Sequence, residues 1–367
     1  MNKRIGVVGI NLEGLATRHG ADALKASGNN FGNMLFTNAV YKQIEGCRHL
    51  GFSFDPLMTK ENLDSIIIPG ANWINLSQDW QVLADLLEST LLPCTAVGLG
   101  AQLSSLKEVR SIPKGTKKLL KVISERCHSF GVRGEFTAEV VRKLGIDNVE
   151  VLGCPSIFYY GKVADLRDID YSRGISNIGI GPTRYVLPGL KVERSIDKQR
   201  QLYQFAIREA SSIYYQSEAF EISILAREEP EQSRNLACEY YGMKNFHELR
   251  KSLLSKGKYH KDLEHWITDS RKDDVYLGTR IHGAIAATLA GTPAVLIAHD
   301  RRTAELADEM CMPCISIEDF DISMLYDIDG LVKSFDFVKF QRRSALNLKR
   351  IFKFYSANGL KSNISLS

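Results

Sequence analysis

The stretch DDVYLGTRIHGAIAATLAGTPAVLIAHDRRTAELADEM, residues 273–310, is where the fold becomes legible. A short apolar run ends at a Gly-Thr turn and is followed by small apolar residues, a Gly-Thr-Pro turn, a second apolar run and a charged segment. Short apolar runs bounded by turn residues fit strands buried on both faces, and the segments between them have helical length. The stretch therefore predicts a strand through Leu277, a helix over HGAIAATLAG, a strand over PAVLIAHD and a helix over RTAELADEM. These are two consecutive units of a parallel α/β sheet.

The same alternation extends outward. Upstream, NIGIGPTR predicts a strand, DKQRQLYQFAIREASSIYY a helix, FEISILA a strand and Glu229 to Tyr241 a helix. CISI predicts a further strand downstream. The first half repeats the pattern, with strands at KRIGVVGI, LDSIIIPG, PCTAVGLGAQ, SFGVR and NVEVLGC separated by helices. Periodicity lapses over YYGKVADLRDIDYSRGISN. The expected organisation is an α/β protein of two doubly wound, Rossmann-like lobes facing a cleft. The boundaries are 1–160 for the first lobe, 161–176 for the linker, 177–330 for the second lobe and 331–367 for a basic amphipathic C-terminal helix. A chain of 367 residues also exceeds what one core usually supports.

Composition excludes several classes. With 47 basic and 43 acidic residues the net charge is +4, too mild and scattered to indicate nucleic acid. No run approaches the ~18 apolar residues of a membrane span, and the apolar stretch near the start is too short for a secretory signal. The seven cysteines are an odd, thinly spread set that suits a reducing cytosol. Cys311 and Cys314 have the spacing of a redox or zinc pair, but without a second pair they read as buried thiols. No acidic pair has metal-binding spacing, so no metal is expected. The C-terminal helix alternates Phe337, Phe340, Leu348, Ile351, Phe352 and Tyr355 with basic residues. Such a helix either packs across the lobes or, through 335–356, touches an anionic membrane.

The chemistry concentrates at Gly278-Thr279-Arg280-Ile281-His282-Gly283. A strand ends there and a helix begins, so unpaired N–H groups and the positive helix end face outward, receptive to an anion. Arg280 adds a planar cation. Small residues after it let the helix pack tightly. His282 beside a bound anion can become a proton donor, because the anion favours its charged form. The structural alternative is a histidine capping a turn and an arginine in an ion pair. His299 and Asp300, closing the next strand, either line the cleft or form a turn.

The stretch GTRIHGAIAATLAGTPAVLIAHDRRTAELADEM resembles the C-terminal signature of the polysaccharide pyruvyl transferase family, and GVRGEFTAEVVRKLGIDNVEVLGCPSIFYY is similar to that family's other recognisable block. The resemblance implies a two-lobed fold like the GT-B glycosyltransferases. It also implies transfer of the pyruvyl group of phosphoenolpyruvate onto two hydroxyls of a sugar, giving a cyclic ketal and phosphate with no cofactor. Carried onto matching positions, Arg280 and His282 would hold phosphoenolpyruvate, with His282 the general acid, and Arg133 would face them from the other lobe. Thr279 and Gly283 complete the turn, and Arg184 and Arg227 stand at strand ends where further anion contacts would fit. The family's N-terminal glycine-rich segment usually reads close to Gly-Asn-x-Gly-Asp; here Gly28, Asn29 and Gly32 are kept but Asn33 replaces Asp. The departures fall in the lobe expected to bind the acceptor, where Asn29, Asn33, Asn72 and Trp73 are candidate sugar contacts. The expected partners are phosphoenolpyruvate and a sugar or lipid-linked glycan, in the cytoplasm or at the inner membrane face. Two other readings compete: a GT-B glycosyltransferase using a nucleotide sugar, and a non-enzymatic glycan- or anion-binding relative.

Overall fold

Short apolar segments closed by Gly, Pro or Asn form the strands, and the more polar segments between them cover the sheets as helices. The computed structural model describes residues 3–183, 195–230 and 234–366. The first lobe contains β1 (Ile5–Val7), β2 (Cys47–His49), β3 (Ser65–Pro69), β4 (Cys94–Val97), β5 (Phe130–Val132) and β6 (Val149–Val151). Four of these pair in the order β2-β1-β3-β4. β5 pairs with β6, and a parallel bridge from Leu99 to Val132 joins the two groups. Every residue of β3 is buried, as a strand covered on both faces must be.

The second lobe contains β7 (Ile178–Gly181), β8 (Ser212–Tyr214), β9 (Gly257–Lys258), β10 (Val275–Gly278), β11 (Ala294–Ala298) and β12 (Cys314–Ser316). These form one parallel sheet in the order β12-β11-β10-β7-β8-β9. The chain enters at the middle and winds outward to each edge in turn. The winding reverses between β7 and β10, which leaves a crevice at their carboxyl ends. The two doubly wound, GT-B-like lobes expected from the sequence are therefore present. Residues 161–177 contain neither helix nor strand. They are pinned to the second lobe by Arg167, whose guanidinium donates to Arg271 O at 3.0 Å and to Thr292 Oγ1 at 2.8 Å.

Two expectations need correction. FEISILA is not a strand but the helix Ala219–Leu225. Its apolar/polar alternation mimics a half-exposed strand, yet Phe220, Ile222 and Ile224 are buried, and so is Glu221, which accepts from Tyr241 Oη at 2.8 Å. The strand lies just before it, at Ser212–Tyr214, in residues that the sequence merged with the preceding helix. The C-terminal helix, Phe337–Ala357, is as long as expected and packs across the lobes, the first of its two expected readings. Phe340, Leu348, Ile351 and Tyr355 are buried, Tyr355 donates to Gln43 Oε1 at 2.8 Å, and Arg343 and Arg350 both reach Glu309 at 3.0 Å. Val338 and Leu346 are its exposed large hydrophobics. No helix among the described residues is long and apolar enough to cross a membrane. Cys311 and Cys314, expected to be buried, are both half-buried free thiols.

The helix Arg301–Met310 of the second lobe is clasped to the first lobe. Glu305 accepts from the backbone N–H of Thr137 at 2.8 Å and from its hydroxyl at 3.2 Å, while Arg301 lies 3.9 Å above the Phe136 ring. Glu305→Ala would leave a half-buried N–H without its acceptor, so we expect a stability loss of about 1–3 kcal/mol. Glu305→Gln keeps an acceptor and should lose less. Urea denaturation of both variants checks this, and an unshifted midpoint for the alanine variant would remove the clasp from the account.

Candidate active site

Where the crevice of the second lobe meets the first, four helices begin. They are Asn33–Gln43 after Gly32, Glu135–Arg142 just beyond Arg133, Ile281–Leu289 after Arg280, and Arg301–Met310 after Asp300. Each start carries partial positive charge. Thr183 and Thr279, following β7 and β10, join across the crevice by a hydroxyl contact of 2.8 Å. Two glycines permit the close approach. A Cβ on Gly283 would stand 2.0 Å from Tyr276 Oη, and one on Gly32 would stand 2.6 Å from Nδ1 of His282. Gly283 is thus a packing residue, and Gly32 brings the first lobe's backbone against the second lobe's histidine.

A cavity of about 50 Å³ lies between these helix starts, lined by Arg133, Arg280, Arg302, His282, His299 and Thr279 among others. Arg280 is not a free cation: its guanidinium donates to Ser217 Oγ and to the carboxylate of buried Glu218. Glu218 also accepts from the N–H groups of Gln216 at 2.8 Å and Ser217 at 2.9 Å. Burial alone would raise its pKa, but Arg280 and these donors hold it below the ordinary glutamate value. Arg302 pairs with Asp300 at 2.8 Å.

Arg133 is different. It is 3% exposed, donates through Nε to Gly98 O at 2.9 Å and through Nη1 to Asn72 Oδ1 at 3.2 Å, and among the described residues it has no carboxylate within ion-pair distance. Among the described residues its Nη2 has no hydrogen-bond partner. His282 is 6% exposed, stands 5.7 Å from the Phe36 ring, and among the described residues its Nε2 likewise lacks a partner. Burial, with Arg133, Arg302 and Arg280 nearby, holds the His282 pKa well below 6.5. The imidazole is therefore neutral at pH 7. His299 is also pushed down, to about 4, first by burial.

The cationic cavity adjoins a second one of about 500 Å³ in the first lobe, at the carboxyl ends of β1 and β3. Asn30, Asn33, Ala71 and Asn72 line both. Trp73 and Trp80 stack at 4.2 Å, and Phe52 lies 5.9 Å from Trp73 and 6.1 Å from Trp80.

Arg133, Thr279, Arg280 and His282, drawn from both halves of the sequence, thus meet at one cavity, and Asn33, Asn72 and Trp73 line its neighbour. Asn29 does not. It is exposed in a left-handed turn at φ 60°, and Asn30 takes the lining position. Arg227 does not either, because it follows a helix rather than a strand and is exposed. Arg184 lies outside the described residues. The sequence missed Arg302, although it falls within the signature block. It also missed Trp80 and Phe52, which local pattern did not connect to Trp73. Glu218 was hidden by the misassigned FEISILA segment.

Comparisons with known proteins follow this geometry. The family model for polysaccharide pyruvyl transferases matches residues 30–301, well over half of the chain. No curated protein matches. Among solved structures, the chain is similar to the S. aureus MnaA–UDP complex at 10% identity and TM-score 0.47, covering 98% of this chain and 97% of that one. It is similar to UDP-N-acetylglucosamine 2-epimerase from Rickettsia bellii at 11% identity and TM-score 0.46, covering 97% and 96%. It is also similar to Anabaena Alr3699/HepE in complex with UDP and glucose, at 10% identity and TM-score 0.43, covering 97% of each. Likeness that distant says nothing of this chain's ligand. The family match spans both lobes and includes Arg133, Arg280 and His282, so the chain belongs to the polysaccharide pyruvyl transferase family.

Proposed function

We propose that the chain moves the pyruvyl group of phosphoenolpyruvate onto two hydroxyls of a sugar, with the donor in the cationic cavity and no resident cofactor or metal. The observation that carries this is Arg133: among the described residues, this buried guanidinium has no carboxylate partner and its Nη2 no acceptor, and the Nε2 of His282 beside it is equally unpartnered. Burying a charge without a partner is costly, so such a site is built for an incoming anion. Phosphoenolpyruvate brings two anionic groups on three carbons, which Arg133, Arg302 and Arg280 can hold together. The free space of about 50 Å³ accepts only a few waters. Donor binding on this reading parts the lobes.

In the reaction, protonated His282 gives its proton to the methylene carbon, making C2 electrophilic. One sugar hydroxyl bonds to C2 as its proton returns to the now neutral His282. The second hydroxyl then displaces phosphate from the same carbon, its proton leaving with the phosphate, and the ketal closes. The arginines stabilise the departing phosphate.

Neutral His282 must first acquire a proton. The bound anion offsets the field of the three arginines and raises the imidazole pKa, so binding takes up a proton. Affinity for phosphoenolpyruvate should therefore strengthen as pH falls and weaken as pH rises through the bound-state pKa. Calorimetry in buffers of different ionisation heat reads the uptake directly. Equal proton uptake by wild type and His282→Gln would place the titration elsewhere.

The function itself is tested by phosphate release from phosphoenolpyruvate with candidate glycans, with the ketal identified by mass spectrometry. Thermal stabilisation by a nucleotide sugar but not by phosphoenolpyruvate would overturn the proposal, because a ligand that binds only the folded state raises its apparent stability.

A further inference from the structure

We infer that the wide cavity of the first lobe takes one uncharged pyranose ring of the acceptor, laid against the Trp73–Trp80 wall beneath Phe52. This deepens the reading above and relies on it only for the role of the neighbouring cationic cavity.

The argument begins with charge. Among the described residues, none that lines this cavity of about 500 Å³ is ionisable. Its polar groups are the amides of Asn30, Asn33, Asn72 and Gln78 and the hydroxyl of Thr37. An amide donates and accepts at once, as a sugar hydroxyl does, so a ring of hydroxyls can be matched without net charge. A carboxylate would enter with nothing in the cavity to neutralise it, at a desolvation cost that neutral amides do not repay. The nearest cations belong to the adjoining cavity, where an acidic sugar would compete with the donor for Arg133.

The second strand of the argument is shape. The volume lies within the range of small-ligand sites, which combine apolar walls with a few placed polar groups. Trp73 and Trp80 stack face to face and both line the cavity, so a ligand there meets the outer side of the pair, which is fixed by Trp80 Nε1 donating to Trp73 O at 3.2 Å. Phe52 is 41% exposed above them. The C–H face of a pyranose carries slight positive charge and meets the negative face of an aromatic ring favourably. The third strand is continuity. Asn30, Asn33 and Asn72 line both cavities, so a ring seated on the tryptophans presents hydroxyls toward the donor.

The test uses intrinsic fluorescence, because two of the three tryptophans line this cavity and Trp266 is buried in the second lobe. The full chain is titrated, without phosphoenolpyruvate, with methyl glycosides of galactose, glucose, mannose and the N-acetylhexosamines, and with glucuronic and galacturonic acids. We expect at least one neutral glycoside to bind and the acids to bind at least tenfold more weakly. Phe52→Ala and Trp80→Ala should each weaken that binding roughly 2- to 10-fold. Trp73, being buried, is left intact so that folding is not at issue. Acid sugars binding as tightly as neutral ones, no neutral glycoside binding, or wild-type affinity in both variants would each overturn the inference. Glycoside binding with no phosphate release removes the donor assignment and leaves this one standing. Ketal formation on an acid sugar alone does the reverse.

Discussion

His282→Gln is expected to lower glycan-dependent phosphate release from phosphoenolpyruvate by ~10²–10⁴-fold, the range lost with a positioned general acid. Glutamine keeps a polar group of similar reach but has no proton to give to carbon. On the proposed reading the loss should fall mainly on kcat, with a smaller rise in KM, because Arg133, Arg302 and Arg280 carry most of the anion's charge and the imidazolium adds only the coupling that its proton uptake reports. Folding should survive, since among the described residues Nε2 of His282 has no hydrogen-bond partner to forfeit. A loss confined to KM would make His282 a donor-binding group, and a variant within threefold of wild type would end its role as the acid.

Glu218→Ala is expected to cost about 3–5 kcal/mol of stability, because it strips Arg280 of its carboxylate and leaves a cation in a mostly buried site. The Glu218 side chain is 1% exposed and that of Arg280 15%, so solvent screens the pair little. Two further readouts separate this from a simple packing loss. The folded carboxylate has a lowered pKa, so the pair's contribution is full above the unfolded value of about 4.3 and drains as pH falls through the folded one. The acid limb of the stability curve should therefore flatten in the variant. In addition, phosphoenolpyruvate should raise the variant's Tm more than that of wild type, since the ligand replaces the missing negative charge. A wild-type acid limb together with equal ligand stabilisation would show that Arg280 does not depend on Glu218.

The lobes and the strand–turn–helix joint at Gly278–Gly283, with Arg280 and His282, were legible in the sequence because each rests on a local rule, whereas Arg133 was placed opposite them only by the family resemblance. Buried strands are short apolar runs, turns need glycine or proline, and helix starts present donors. FEISILA failed for the same reason that others succeeded: over seven residues, apolar alternation does not separate a strand from a helix buried on all sides. The amphipathic C-terminal helix shows the limit from the other direction. Its apolar face was visible, but whether protein or lipid covers it depends on Gln43 and Glu309, hundreds and tens of residues away.

The sequence by itself determined which segments are strands and helices across most of the chain, and which residues sit at the Gly278–Gly283 helix start. Tertiary structure alone decided charge and pairing. Arg280 is neutralised by Glu218, Arg302 by Asp300, and Arg133 by no carboxylate among the described residues. It also decided that Phe52, Trp73 and Trp80 cluster and that burial and neighbouring arginines hold His282 neutral. The physical reason is that helix and strand follow from neighbours along the chain, whereas the energy of a buried charge or ring is set by whatever the fold brings within a few ångströms of it.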